Sequence, residues 1–154
     1  MNKEQSSQRI FWILLSVAVF IGVLTFLGIF WKNYSTMNLH AKNSEATRNL
    51  QEICQAEQEY FRTRGVYLKA GPTPERKPSI STTPFESLHL HEWNMLKWEP
   101  EWEVRCQYTI FLTKSDGSDF QAISRCDADG DGDYAQFETD KSCVVSRISD
   151  KWVF

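Results

Sequence analysis

The chain has 154 residues, which is room for one domain of ordinary size and too little for most multidomain enzymes. Its 17 Lys and Arg residues and 20 Asp and Glu residues give a net charge of -3. This balance excludes a nucleic-acid-binding surface that depends on an excess of basic residues. The mean hydropathy is -0.43, so the chain is polar overall, although one stretch near its start carries no charge.

That uncharged stretch, 11–31, has the sequence FWILLSVAVFIGVLTFLGIFW. A helix of these 21 residues is about 31 Å long, which matches the hydrocarbon core of a bilayer. Aromatic residues at both ends suit the headgroup layers. The alternative is a cleaved signal peptide, whose apolar core is shorter, about 7–15 residues, and is followed by small residues. We therefore expect a transmembrane helix at 11–31, in contact with lipid, after a short cytoplasmic leader at 1–10.

The segment 32–66 predicts an amphipathic helix. It contains no proline, and its apolar residues recur at the 3, 4 and 7 spacings of one helix face. These residues are Ala46, Leu50, Ile53, Cys54, Tyr60 and Phe61. Gly65 marks the end of the pattern. Because nothing between the two helical segments forces a break, we expect one continuous helix of about 55 residues.

Residues 67–154 predict a small antiparallel sheet. The part from 69 to 84 holds four of the five prolines and predicts an irregular surface connection, and PFESLHLHEWNML then predicts a short helix or a bend. The segments VRCQYTIFLT, DFQAIS, YAQFETD and CVVSRI are rich in β-branched and aromatic residues, with a hairpin signal, KSDGSD, after the first. Three or four strands wrapped on the amphipathic helix make an α+β domain.

All four cysteines, Cys54, Cys106, Cys126 and Cys143, follow the apolar stretch. No CxxC pair is present, and this favours disulfides over a zinc site, with buried thiols as the alternative. Disulfides persist outside the cytosol, so we expect the C-terminal domain to be periplasmic or on the cell surface, anchored by a single pass in an inner membrane.

The hairpin suggests which cysteines pair. If the turn is centred near Asp116, opposed residue numbers sum to 232, and Cys106 faces Cys126 at a separation close to that of a disulfide. Cys54 and Cys143 then join helix to sheet or remain thiols. The rival pairing, Cys126 with Cys143, would close the base of the acidic loop.

The order of these elements resembles the type IV pilin and pseudopilin family. The similar features are a polar leader, an apolar helix opening with Phe, the continuation SEATRNLQEICQAEQEYFRTRGVY, an irregular loop and the sheet containing WEPEWEVRCQYTIFL and FQAISRCDADGDGDYAQF. The resemblance covers nearly the whole chain and implies a structural role. It also has a departure: prepilins carry Gly before the mature Phe and Glu at the fifth mature position, where this chain has Ile10 and Leu15.

The stretch CDADGDGDYAQFE matches the calcium-loop pattern D-x-[DN]-x-[DN]-G-x5-E at every offset. Calcium takes six to eight oxygen ligands, which carboxylates on alternate residues of a tight loop can supply. Asp133 would contribute its backbone carbonyl and Ala135 a water, while Glu138 would close the site. We therefore predict a calcium site formed by Asp127, Asp129, Asp131, Asp133 and Glu138, with magnesium less favoured. The alternative is an Asp-Gly-rich turn that binds nothing.

A nucleophile constellation, a P-loop and a dinucleotide fingerprint are all absent from the sequence, so we do not expect an enzyme. Nor is nucleic acid an expected partner. The expected function is that of a membrane-anchored pilin-like structural protein, a minor subunit or accessory subunit of a pilus or secretion complex. The alternative is a monomeric, membrane-tethered binding module that uses calcium and does not assemble into filaments.

Overall fold

The computed structural model describes residues 3–86, 90–151 and 153–154, with side chains from residue 11 onward. Two helices and five strands follow one another along the chain. They are α1 (Lys3–Arg64), β1 (Ala70–Thr73), α2 (Leu90–Leu96), β2 (Gln107–Leu112), β3 (Phe120–Cys126), β4 (Ala135–Asp140) and β5 (Ser146–Arg147). The helix α1 is uninterrupted, as the absence of a breaker between its apolar and amphipathic parts predicts.

The chain divides into two compact units, Met1–Asn38 and Leu39–Phe154. Within the first unit, the large apolar side chains of 11–31 are all exposed, from 43% at Leu15 to 76% at Trp31. Apolar side chains exposed all round a helix are typical of a lipid-facing segment. The part of the chain that the structure describes thus contains one helix long and apolar enough to cross a membrane once.

In the second unit, the amphipathic pattern of α1 forms a buried stripe. Ala46, Leu50, Ile53 and Cys54 have no exposed surface, as expected from their spacing. The helix ends at Arg64, where Gly65 adopts a φ of 77° and its N–H donates to the Phe61 carbonyl at 2.8 Å. A left-handed residue with this bond is a common way to terminate a helix, and glycine adopts it without steric cost.

The five strands form one antiparallel sheet in chain order, β1-β2-β3-β4-β5. In the central hairpin, Gln107 is opposite Arg125 and Leu112 is opposite Phe120, so opposed residue numbers sum to 232 as predicted. The burial of β3 alternates strictly, which places one face of the sheet on the core. The fold is α+β, and a long N-terminal apolar helix together with an antiparallel sheet is a pilin-like architecture.

Two sheet edges differ from the prediction. The proline-rich connection contains the edge strand β1, which pairs with β2 through Ala70 and Thr73 around an irregularity. Pro72, which has no N–H to donate, is exposed between them, and proline is tolerated at a sheet edge for this reason. At the other edge, the segment CVVSRI contributes only Ser146–Arg147, because Cys143, with a φ of 57°, lies in the turn after β4.

Aromatic side chains complete the core between α1, α2 and the sheet. Trp98 lies 5.2–5.7 Å, ring centre to ring centre, from Phe85, Trp93 and Tyr108. The buried indole N–H of Trp93 donates to Thr73 Oγ1 at 2.8 Å. Edge-to-face packing with satisfied N–H groups stabilises such a cluster beyond the effect of burial alone.

Two disulfides cross-link the second unit. Cys106 is bonded to Cys126, joining the segment before β2 to the end of β3, and Cys54 is bonded to Cys143, joining α1 to the turn after β4. The rival pairing of Cys126 with Cys143 is therefore not the one in the structure. Each bond reduces the conformational entropy of the unfolded chain, by more when the closed loop is longer.

We expect the two bonds to differ in their effect on stability. The closed loops span 89 residues for Cys54–Cys143 and 20 residues for Cys106–Cys126. Loop-closure entropy then gives losses of about 4–5 kcal/mol for C54A/C143A and about 3 kcal/mol for C106A/C126A. Denaturant unfolding of both variants in the same detergent measures this, and a larger loss in C106A/C126A would contradict it.

One carboxylate is buried in the second unit. Glu57 on α1 has no exposed surface, its Oε2 accepts the Leu68 N–H at 3.0 Å, and its Oε1 has no hydrogen-bond partner. Burial raises the pKa of Glu57 to about 7, against a smaller lowering effect of the Leu68 bond. The folded protein thus binds the proton more tightly than the unfolded chain does, and this group destabilises the fold progressively as the pH rises above its unfolded pKa.

We expect Glu57→Gln to be more stable than the parent at pH 8 by roughly 1–3 kcal/mol, with the gain disappearing near pH 4. Glutamine keeps an acceptor for Leu68 and has no charge to bury. Glu59→Gln, which removes an exposed partner of Arg62, is the matched control and should show no such gain. Unfolding free energies at several pH values decide this, and equal pH profiles for the parent and E57Q would refute it.

Candidate metal centre

The acidic loop, residues 127–134, connects β3 to β4. The last ladder pair before it is Cys126 opposite Ala135, so the loop leaves and re-enters the sheet at neighbouring positions. The disulfide from Cys126 to Cys106 fixes the N-terminal end of the loop. A loop closed by a strand pair, with one end also fixed by a disulfide, has few conformations to lose on binding a ligand.

Three carboxylates of this loop converge. Asp127, Asp129 and Asp131 each offer one oxygen, and these three oxygens lie within 4.8 Å of one another. Asp127 is only 6% exposed, whereas the other two face solvent. Hard oxygen ligands grouped in this way could hold a metal ion, with the buried Asp127 at the inner side and the exposed pair at the entrance.

The turn conformation brings alternate residues to one side. The N–H of Gly130 donates to Asp127 Oδ1 at 2.7 Å, and the N–H of Asp133 donates to Asp131 Oδ1 at 2.8 Å. Gly130 and Gly132 have φ values of 81° and 89°, which residues with a Cβ rarely adopt. These glycines let the chain reverse twice within a few residues, so that Asp127, Asp129 and Asp131 face the same space.

The charges of the cluster repel one another. The pKa of Asp129 is raised above its usual value by partial removal from water and, secondarily, by the negative charge of Asp131. A bound cation would offset both effects, since it stabilises the ionised form of each carboxylate. Protons and cations therefore compete for this cluster, and cation binding should weaken as the pH falls through the carboxylate range.

The backbone behind the cluster is held from two sides at Ala128. Its carbonyl accepts a hydrogen bond from Lys42 Nζ on α1 at 3.0 Å, and its N–H donates to the Phe154 carbonyl at 2.9 Å. The Phe154 ring in turn packs edge-on against His40, with ring centres 5.0 Å apart. The loop is thus attached to the helix as well as to the sheet, which the sequence pattern alone does not indicate.

The converging carboxylates are those of Asp127, Asp129 and Asp131, and this group does not include the carboxylate of Glu138. Ala135 already belongs to β4 and is fully buried. Glu138 lies further along β4, where Gln121 Nε2 donates to its Oε2 at 2.6 Å and Ser146 Oγ to its Oε1 at 3.5 Å. Asp133 directs its N–H into the turn. A strand, and not a helix, follows the loop, and Glu138 accepts hydrogen bonds within the sheet, so its role as the closing ligand stays a prediction.

Comparison with protein-family models, with curated proteins and with solved structures finds no match to this chain.

Variants of the acidic loop and of β4 should show whether the ligand set is the three aspartates alone or also includes Glu138. We expect Asp131→Asn to weaken divalent-cation binding by at least about tenfold, because it removes one of three converging charges. Glu138→Gln should leave the affinity unchanged within about twofold, since Glu138 is held by Gln121 and Ser146. Calorimetric titration with calcium, magnesium and manganese measures both. An equal loss of cation affinity in the two variants would show that Glu138 is a ligand.

Proposed function

We propose that this chain is a membrane-anchored, pilin-like structural protein that acts as a minor pilin, pseudopilin or accessory subunit of a type IV pilus or type II secretion-type complex. The observation that carries the proposal is the continuous helix α1. Its first part exposes mostly apolar side chains over 11–31, and one face of its last part packs against an antiparallel sheet. A subunit of this kind uses one helix both as anchor and as part of the core of its head domain, which here is the second unit, Leu39–Phe154.

The proposed location is an inner membrane, crossed once, with the second unit periplasmic or on the cell surface. The two disulfides, Cys54–Cys143 and Cys106–Cys126, support this side of the membrane because such bonds persist in oxidising compartments. The proposed partners are bilayer lipid, through 11–31, and the apolar helices of other pilin-like subunits. The role is structural and not enzymatic.

The proposed ligand of the acidic loop is calcium. Asp127, Asp129 and Asp131 offer only oxygen ligands, and calcium accepts irregular oxygen sets with water completing the coordination, whereas magnesium requires near-octahedral geometry. The hydrogen bond that Ala128 accepts from Lys42 and the one that it donates to Phe154 would couple an occupied loop to the packing of the sheet on α1. Calcium at a hundredfold excess over its Kd should stabilise the fold by about 2.7 kcal/mol.

A second candidate function is a monomeric tether that presents a calcium-dependent binding head and does not enter filaments. The observation that favours it is the sequence around the apolar stretch. Ile10 and Leu15 stand where the resembled family has the cleavage-site Gly and the Glu used in subunit packing. Leu15 offers no carboxylate to a neighbouring subunit's N-terminal amine.

Crosslinking in native membranes tests the leading proposal against the tether. A photo-crosslinking residue replaces Phe20 in the apolar stretch or, as the matched control, Lys114 in the exposed hairpin turn. We expect the Phe20 probe to capture the N-terminal helices of other pilin-like subunits, because such helices pack together in these complexes, and the Lys114 probe not to do so. Capture of lipid alone at Phe20 would contradict the proposal and support the tether.

Two further measurements accompany this experiment. N-terminal sequencing shows whether the mature chain starts at Phe11, as pilin processing requires, or at Met1. Electron microscopy of the purified protein should show monomers or small complexes, because Leu15 replaces the packing Glu. Long, regular filaments of this protein alone would exclude the tether.

A further inference from the structure

A second site lies on the head domain, and one of its lining residues, Lys42, also contacts the backbone of the acidic loop. A cleft of about 780 Å³ runs between the 41–48 part of α1 and the segment 102–105, with Thr82 beside it. We call it the Trp102 cleft. Its volume falls in the range of ligand sites, and its walls carry three cationic side chains, Lys42, Arg48 and Arg105.

The two acidic side chains of the cleft are already engaged. Glu45 Oε1 accepts the N–H groups of Arg105 at 2.9 Å and Cys106 at 3.2 Å, together with the Tyr108 hydroxyl at 3.2 Å. Glu103 Oε2 accepts the Thr82 hydroxyl at 2.8 Å. A carboxylate that receives several donors presents less of its charge to a ligand.

The cationic side chains keep unused donors. Arg48 is half exposed and makes only two long contacts among the described residues, 3.9 Å to Glu52 Oε1 and 3.4 Å to Asn49 Oδ1. Arg105 Nη1 lies 3.6 Å from Glu45 Oε2, and its Nε has no hydrogen-bond partner. The cleft thus has spare guanidinium donors, and their fork geometry matches the two oxygens of a carboxylate, as it matches those of a phosphate.

Trp102 adds an apolar surface at the same place. Its side chain is 69% exposed, whereas Trp93 and Trp98 are buried in the core. Within the part of the chain that the structure describes, Trp102 makes no hydrogen bond and no ring contact. A large apolar side chain left in water beside unused arginines is characteristic of a binding surface, because Trp and Arg are the residues most enriched at interface hot spots.

We propose that the Trp102 cleft binds a segment of a partner protein in which a carboxylate side chain is next to an aromatic one. The carboxylate contacts Arg48 and Arg105, and the aromatic ring packs on Trp102. A protein segment fits better than a free anion, since the indole supplies contact area that a small anion would leave unused. The proposal is independent of calcium binding and of filament assembly.

A synthetic pentapeptide tests this with the full chain in lipid nanodiscs. The peptide has a glutamate between two phenylalanines and a capped glycine at each end. Its two controls replace the glutamate by glutamine or both phenylalanines by alanine. Binding is followed by fluorine NMR of protein labelled with 5-fluorotryptophan, in which the Trp102 signal is identified by its loss in Trp102→Ala.

We expect the glutamate peptide to shift the Trp102 signal and the signals of buried Trp93 and Trp98 to stay in place. The glutamine control should bind at least about tenfold more weakly, as loss of a charge-assisted bond implies, and the alanine control about fivefold more weakly. Nanodiscs without the protein should bind none of the three peptides.

Variants of the protein locate the contact. Arg48→Gln should weaken binding about tenfold, whereas Arg62→Gln, an exposed arginine further along α1, should change nothing. By calorimetry, Trp102→Ala should weaken binding about fivefold, and Val144→Ala, which is equally exposed, should have no effect. Circular dichroism checks that each variant is folded.

Three results would each overturn the proposal. They are equal affinity for the glutamate and glutamine peptides, unchanged affinity of R48Q, and a Trp102 signal that does not move with peptide up to about 10 mM.

Discussion

The head domain depends on the burial of one face of α1 against one face of the sheet. A single helix cannot exclude water from Leu50 and Ile53, and a sheet whose inner face carries Tyr108 and Phe120 cannot do so either. Each element supplies the apolar surface that the other lacks. The aromatic side chains around Trp98 then fill the space between α1, α2 and the edge strand β1, so the core is continuous from helix to sheet edge.

Polar contacts fix how α1 is aligned on the sheet. Glu45 receives two backbone N–H groups just before β2 and the Tyr108 hydroxyl, while the buried Asn49 one turn later also donates to that hydroxyl at 2.9 Å. Hydrophobic burial tolerates sliding, whereas hydrogen bonds to particular backbone groups do not. The same alignment sets the positions of the acidic loop, through Lys42, and of the Trp102 cleft, through Arg105.

The sequence allowed prediction of those features that local pattern determines. Helical spacing identified the buried stripe of α1, and turn chemistry around Asp116 gave the strand register from which the Cys106–Cys126 pairing follows. The alternation of aspartates indicated that carboxylates of the acidic loop converge. It did not indicate that Glu138 lies in a strand, because that strand forms by pairing with β3 across the sheet.

Features that depend on distant residues were not predicted. The edge strand β1 forms in a proline-rich segment because it pairs with β2. Local strand propensity does not indicate this pairing. The Trp102 cleft joins side chains separated by more than fifty positions, and no local pattern indicates that Trp102 is exposed while Trp93 and Trp98 are buried. The tie between Lys42 and the acidic loop has no local signal either.

The Cys54–Cys143 bond has a mechanical consequence. Consider a force that pulls the head domain apart between residues 39 and 154. The Cys54–Cys143 bond transmits this force directly, so the 89-residue segment between the two cysteines is not stretched. Only the flanking chain can then extend, to about 90 Å at full stretch, compared with roughly 400 Å for the reduced chain. Under tension the oxidised head therefore remains a short, stiff element, and reduction would convert it into an extensible one.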